Sequence, residues 1–130
     1  MSDSEKKISL AVLMTCHNRV ENTMACLQSL KDQEPYDAST AILLVDDGST
    51  DGTSSEVARM YPDVTIIQGD GSLYWCGGMR VAFAQAILKD YDFYLWLNDD
   101  THLEKNALFR LFQTYTQVTF QSGKPVITEV

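Results

Sequence analysis

Two apolar runs that end in acidic residues constrain this chain more than any other feature. Ala41-Ile42-Leu43-Leu44-Val45 leads into Asp46-Asp47-Gly48-Ser49, and Phe93-Tyr94-Leu95-Trp96-Leu97 leads into Asn98-Asp99-Asp100-Thr101. A continuous apolar run of five residues reads as a strand covered on both faces, the situation of a parallel sheet flanked by helices. Each carboxylate pair then emerges at a strand's carboxyl end, which is where open α/β sheets bind ligands.

The rest of the pattern alternates around these runs. Residues 8–15 predict a first strand, after which Val20, Met24, Leu27 and Leu30 recur at helical spacing to about Gln33. The polar turn Glu34-Pro35-Tyr36-Asp37 precedes the strand at 41–46. A short helix is expected over 54–61, started by Asp51 or Thr53, then a third strand at Val64-Thr65-Ile66-Ile67 and a long loop over 69–76. Met79, Ala82, Phe83, Ala86 and Ile87 share one face of a third helix ending near Asp90, ahead of a fourth strand at 93–98. Thr101-His102-Leu103-Glu104 has capping-box spacing, so a fourth helix is expected there, with Leu108, Leu111, Phe112 and Tyr115 as its buried stripe. Four strand and helix alternations predict an α/β fold: a Rossmann-like, mostly parallel sheet with helices on both faces and right-handed connections. Residues 1–7 are expected to be a disordered tail and 8–130 a single portion of a domain. After the turn at 121–125, Val126-Ile127-Thr128-Glu129-Val130 begins what reads as another strand, so the chain reads as cut inside a larger unit.

Composition narrows the function. With 130 residues and 45% apolar content, one domain can bury roughly two thirds of its unfolded surface. A formal net charge of −8 argues against nucleic acid and against an anionic membrane surface, both of which want a basic stripe. Cys16, Cys26 and Cys76 have no paired spacing and read as thiols in a reducing compartment. No stretch has the length of a transmembrane span or the pattern of a signal peptide, so a cytoplasmic location is expected.

The strand ends carry the chemistry. In Asp46-Asp47-Gly48-Ser49-Thr50-Asp51-Gly52-Thr53, carboxylates can accept hydrogen bonds from a base N–H or a ribose hydroxyl, although the same residue types also build turns and helix caps. Asn98-Asp99-Asp100 presents the hard oxygen ligands that Mg²⁺ or Mn²⁺ prefers, or else another acidic turn before a helix. Two unit charges 4 Å apart interact by about 4 kcal/mol at an effective dielectric near 20, so a diphosphate facing these carboxylates requires a cation. Gly69 through Arg80 combines glycines, aromatics and one Arg, and its backbone amides with Arg80 could hold phosphate oxygens. Its glycines match neither the dinucleotide fingerprint nor a phosphate-binding loop. Cys16-His17 lacks a second pair with zinc spacing. His102 reads as an exposed cap-region residue or else as a metal or phosphate contact.

Taken in order, Thr15-Cys16-His17-Asn18-Arg19, Val45 through Thr53, Gly77-Gly78-Met79-Arg80 and Trp96-Leu97-Asn98-Asp99-Asp100 closely resemble family 2 glycosyltransferases of the GT-A fold, in the rhamnosyltransferase-like branch. The resemblance covers residues 8–118. It implies an inverting transfer from a UDP- or dTDP-sugar to an acceptor hydroxyl, with Mg²⁺ or Mn²⁺ as cofactor. By that resemblance Thr15 and Asp47 lie at the pyrimidine base, Arg80 near base or diphosphate, Asp99 at the ribose and Asp100 on the metal, while Asn18 and Asp46 also belong to the substrate-binding set. Asn98 stands where many members have the first Asp of an Asp-x-Asp motif, and the general base is expected beyond Val130. Two other readings share the composition: a receiver-like signalling domain, and a noncatalytic nucleotide-binding or assembly module that would form a homo-oligomer.

Overall fold

A computed structural model of the protein describes residues 8–122; the tail at 1–7 and the strand expected at 126–130 lie outside the described residues. Strands β1 (Ile8–Cys16), β2 (Ala38–Asp47), β3 (Thr65–Gly69) and β4 (Phe93–Trp96) form a parallel sheet in the order β3-β2-β1-β4. Helices α1 (Val20–Lys31), α2 (Thr53–Met60), α3 (Tyr74–Ala86) and α4 (Ala107–Ser122) follow the strands in turn, with a 3₁₀ turn at Ile87–Lys89 after α3.

Side-chain alternation divides the core into two layers. On one face Leu10, Val12 and Met14 of β1 and Ile42 and Leu44 of β2 pack with Cys26, Leu27 and Leu30 of α1, Val57 of α2 and Leu108 of α4. On the other, Ala11, Leu13, Leu43 and Val45 meet Met79, Ala82 and Ala86 of α3. The chain steps outward from β1 through β2 to β3, and α3 then carries it back across the sheet to β4 on the far side of β1. Connections therefore reverse direction between β1 and β4, and that reversal opens a crevice at the strands' carboxyl ends. A receiver-like layout would put β3 beside β1; β4 stands there instead, which removes that reading.

Most element ends shift from expectation by a residue or two, and three element starts differ by more, each for a tertiary reason. β2 begins at Ala38 rather than 41 because its pairing with β1 extends back to Ile8 opposite Ala38. α3 begins at Tyr74, inside the expected 69–76 loop, because the Asp47 carboxylate accepts the Leu73 and Tyr74 amides from the end of β2. The capping box expected at 101–104 starts no helix. The Thr101 N–H instead donates to the Asn98 carbonyl, and α4 starts at Ala107. There Gln33 Oε1 accepts the Leu108 N–H at 2.9 Å, while Gln33 Nε2 donates to the Glu104 carbonyl at 2.7 Å.

Candidate functional site

The crevice is walled by the segments that leave β1, β2, β3 and β4. After β1 the chain turns sharply at Asn18, whose φ of +51° is left-handed, a conformation Asn tolerates better than most residues. The turn after β2 holds it in place. Asn18 Oδ1 accepts the Thr50 N–H at 2.7 Å, the Asn18 N–H donates to Ser49 Oγ at 2.8 Å, and the Val20 N–H at the start of α1 donates to Asp51 Oδ2 at 3.0 Å. His17 Nδ1 lies 2.6 Å from the Asp47 carbonyl, which can only accept. Nδ1 therefore carries the proton, and Nε2 is the acceptor that faces the Asn18 amide at 3.4 Å.

Pleating splits the first acidic pair. Asp46 points to the α2 side, where it accepts the Ser49 N–H at 3.1 Å and the Ser54 hydroxyl. Asp47 points to the α3 side and accepts backbone amides from Gly71 at 2.8 Å, Leu73 at 3.1 Å and Tyr74 at 2.9 Å. Both carboxylates are only 2% exposed. The turn between them and the β3–α3 loop is tight: Gly48 has φ +71°, and a Cβ there would come within 2.8 Å of the Gly71 nitrogen.

A cavity of about 280 Å³ results, lined by Thr15, Cys16, His17, Arg19, Asp47, Gly71, Tyr74, Trp75 and Asp99. Thr15 is buried, and its Oγ1 has no hydrogen-bond partner among the described residues. Gly78 of α3 makes room for it, since a Cβ at that position would run into the Thr15 side chain. Burial pushes the Asp99 carboxyl above the ordinary aspartate value; Arg19 opposes the shift and Asp100 adds to it. Arg19 reaches across the β1/β4 reversal, with Nε 3.8 Å from Asp99 Oδ2 and Nη2 3.4 Å from Asp100 Oδ2. Burial, with Asp46 or Asp99 adding to it, pushes the Cys16 and Cys26 thiols up to about 12, which leaves neither as a nucleophile at neutral pH.

Of the residues singled out in the sequence, Thr15, Asp47 and Asp99 line one crevice, and Asp100 joins them through Arg19. Asn18 and Asp46 hold its walls through bonds to the turn after β2 rather than lining it. Arg80 is exposed on α3 and does not line the crevice. His102 belongs to a different groove, between the segment after β4 and α4. Four further residues that line the crevice, Arg19, His17, Tyr74 and Trp75, carry no expected role from the sequence. Arg19 and His17 lay inside a motif already singled out, and the left-handed turn at Asn18 accounts for where Arg19 goes.

Among the described residues no group of three or more His, Cys, Asp or Glu side chains could hold a metal unaided. The carboxylates of Asp99 and Asp100 nevertheless suit Mg²⁺ or Mn²⁺, since such ions are commonly held by one or two carboxylates with phosphate oxygens completing the shell.

The profile of Glycosyl transferase family 2 matches residues 11–121. No curated protein matches the chain. Among solved structures, S. aureus TarS 1–349 in complex with UDP is 21% identical at a TM-score of 0.72, with 87% of this chain and 33% of that chain covered. The same TarS fragment in complex with UDP-GlcNAc is 21% identical at a TM-score of 0.68, covering 88% and 32%. The mannosyltransferase PcManGT from Pyrobaculum calidifontis, in complex with GDP-Man and Mn²⁺, is 22% identical at a TM-score of 0.55, covering 73% and 28%. At these identities the likeness is one of fold, and the four-stranded sheet corresponds to the N-terminal portion of the GT-A fold. The chain spans a third or less of each of these structures.

Proposed function

Because the chain belongs to glycosyl transferase family 2, we propose that it forms the donor-binding part of an inverting, metal-dependent enzyme that moves a sugar from a nucleotide diphosphate to an acceptor hydroxyl. The observation that carries this reading is the convergence of Thr15, Asp47 and Asp99 on one crevice at the β1/β4 reversal, with the buried Thr15 hydroxyl unpartnered. Leaving a buried hydroxyl unpaired costs about 1–3 kcal/mol, which a χ1 rotation of Thr15 that brings the hydroxyl to a ligand's polar atom would relieve.

In this reading Thr15 meets the pyrimidine base and Asp99 accepts from the ribose hydroxyls. Asp47 has its oxygens engaged by the Gly71, Leu73 and Tyr74 amides, so a base N–H that reaches it competes with those amides and couples base binding to the loop ahead of α3. Asn18 and Asp46 act by keeping the walls in register. Arg80 contacts base or diphosphate only if the donor extends past the crevice rim. Asp100, with Asp99 beside it, holds the divalent ion. When bound, that ion offsets the charge of the departing diphosphate as a Lewis acid. The Trp96-Leu97-Asn98-Asp99-Asp100 run supports the rhamnosyltransferase-like branch and a UDP- or dTDP-sugar donor. Three free cysteines fit a cytoplasmic location, and no helix among the described residues is long and apolar enough to cross a membrane.

Calorimetric titration with UDP, dTDP and their sugars, with and without Mn²⁺, tests the reading. Binding heat is expected with Mn²⁺ present, together with a change in the fluorescence of Trp75, which lines the crevice. Absence of heat for every nucleotide tried would remove the donor-binding interpretation.

A further inference from the structure

We propose that Arg19 is the resident counter-ion of Asp99 and Asp100, occupying the cation's place in the nucleotide-free protein and passing to the donor's diphosphate when a divalent ion takes the two carboxylates. The inference rests on the donor-binding reading and adds to it a residue that exchanges partners.

The geometry is that of a held root and a loose head. Arg19's backbone is fixed on both sides, by the Asn18 turn clasped to Ser49 and Thr50 and by the Val20 amide on Asp51. Its guanidinium is not locked. Its distances of 3.8 Å to Asp99 and 3.4 Å to Asp100 exceed the roughly 2.7–2.9 Å of a tight charge-assisted hydrogen bond. Its side chain is 46% exposed and that of Asp100 is 51% exposed, so water screens the pair and little holds it together. Among the described residues no other Lys or Arg pairs with either carboxylate.

Charge explains why the exchange has a direction. Asp47, Asp99 and Arg19 all line the crevice, so a diphosphate entering it meets two carboxylates and one guanidinium. While Arg19 neutralises Asp99 and Asp100, a divalent ion binds there against a positive charge already in place. Once the ion holds those carboxylates, the guanidinium is free, and its planar fork suits phosphate oxygens. Metal and nucleotide therefore bind cooperatively, and Arg19 is a positioning residue that links the two.

The test titrates Mn²⁺ into the full chain and into Arg19→Gln and Arg19→Lys, following the free ion by electron paramagnetic resonance, without nucleotide and with UDP. Without nucleotide, Arg19→Gln is expected to bind Mn²⁺ at least about fivefold more tightly, the factor that one unit charge near 4 Å is worth at the water end of the dielectric range. Arg19→Lys keeps the charge and should stay near the parent affinity. At saturating Mn²⁺, UDP should bind Arg19→Gln several-fold more weakly. An Arg19→Gln variant that binds Mn²⁺ no more tightly than the parent overturns the counter-ion role, and unchanged UDP affinity overturns the handover. In both cases a parent chain that binds UDP with Mn²⁺ keeps the donor reading intact, whereas a parent chain that binds neither removes both.

Discussion

Replacing Asp47 by Asn tests how much of the crevice depends on one side chain. The Asp47 carboxylate accepts three backbone amides, at 2.8 Å from Gly71, at 3.1 and 3.3 Å from Leu73 and at 2.9 Å from Tyr74. Hydrogen bonds to a charged acceptor contribute roughly 1.5–3 kcal/mol each. Asn keeps the shape but turns one oxygen into an NH₂ group, so in either orientation a donor faces an amide donor. Loss of one to two of these bonds, with an amide left unpaired beside a side chain only 2% exposed, gives an expected destabilisation of about 3 kcal/mol. With a urea slope of about 1–3 kcal/mol per molar for a small domain, the unfolding midpoint should fall by about 1–3 M. Amide exchange at Gly71, Leu73 and Tyr74 should quicken at the same time, because the start of α3 loses its cap. A midpoint moved by less than about 0.3 M with an unchanged slope, or amides that still exchange slowly, would refute the claim that Asp47 organises this loop.

Three further substitutions or treatments probe other parts of the same arrangement. Gly78→Ala drives a methyl into the Thr15 side chain and should cost about 1–3 kcal/mol in a thermal melt, with part of the loss recovered by adding Thr15→Ala; an unchanged melting temperature contradicts the close approach. Native thiol labelling near pH 8 should modify exposed Cys76 quickly, and Cys16 and Cys26, raised to about 12, only after unfolding, so three fast thiols would be the wrong answer. Asp99 has its native pKa raised above 3.8 mainly by burial, so its charged form opposes folding at neutral pH, and its contribution improves as pH falls from the raised value towards the ordinary one. Asp99→Asn should therefore be more stable than the parent at pH 7, with the advantage shrinking through that window; a gap independent of pH would contradict the assignment.

Some of the fold and site could be read along the chain because the causes are local. The run 41–45 had to be a two-face-buried strand, and its period of two already puts Asp46 and Asp47 on opposite faces. The glycines and hydroxyls after Asp47 announced a turn, and the acidic residues after β4 announced a second polar strand end. The starts of α3 and α4 were not legible, since their caps come from Asp47, 27 residues from Tyr74, and from Gln33, 75 residues from Leu108. Capping-box spacing at 101–104 was a sound local signal overruled by a distant one. Arg19 carried no local mark of its partners, which lie 80 and 81 positions further on.

By itself, then, the order of residues determined which segments are strands, where carboxylates leave them, and that the sheet is sheathed in helices, because burial and side-chain periodicity act within a few residues. Only the tertiary structure decided that β4 lies against β1, and with it that Asp99 and Asp100 face Arg19, that Asp47 clasps the loop ahead of α3, and that Arg80 stays outside. Strand order is settled by long-range packing and hydrogen bonding across the sheet, and no short stretch of sequence contains both sides of those contacts.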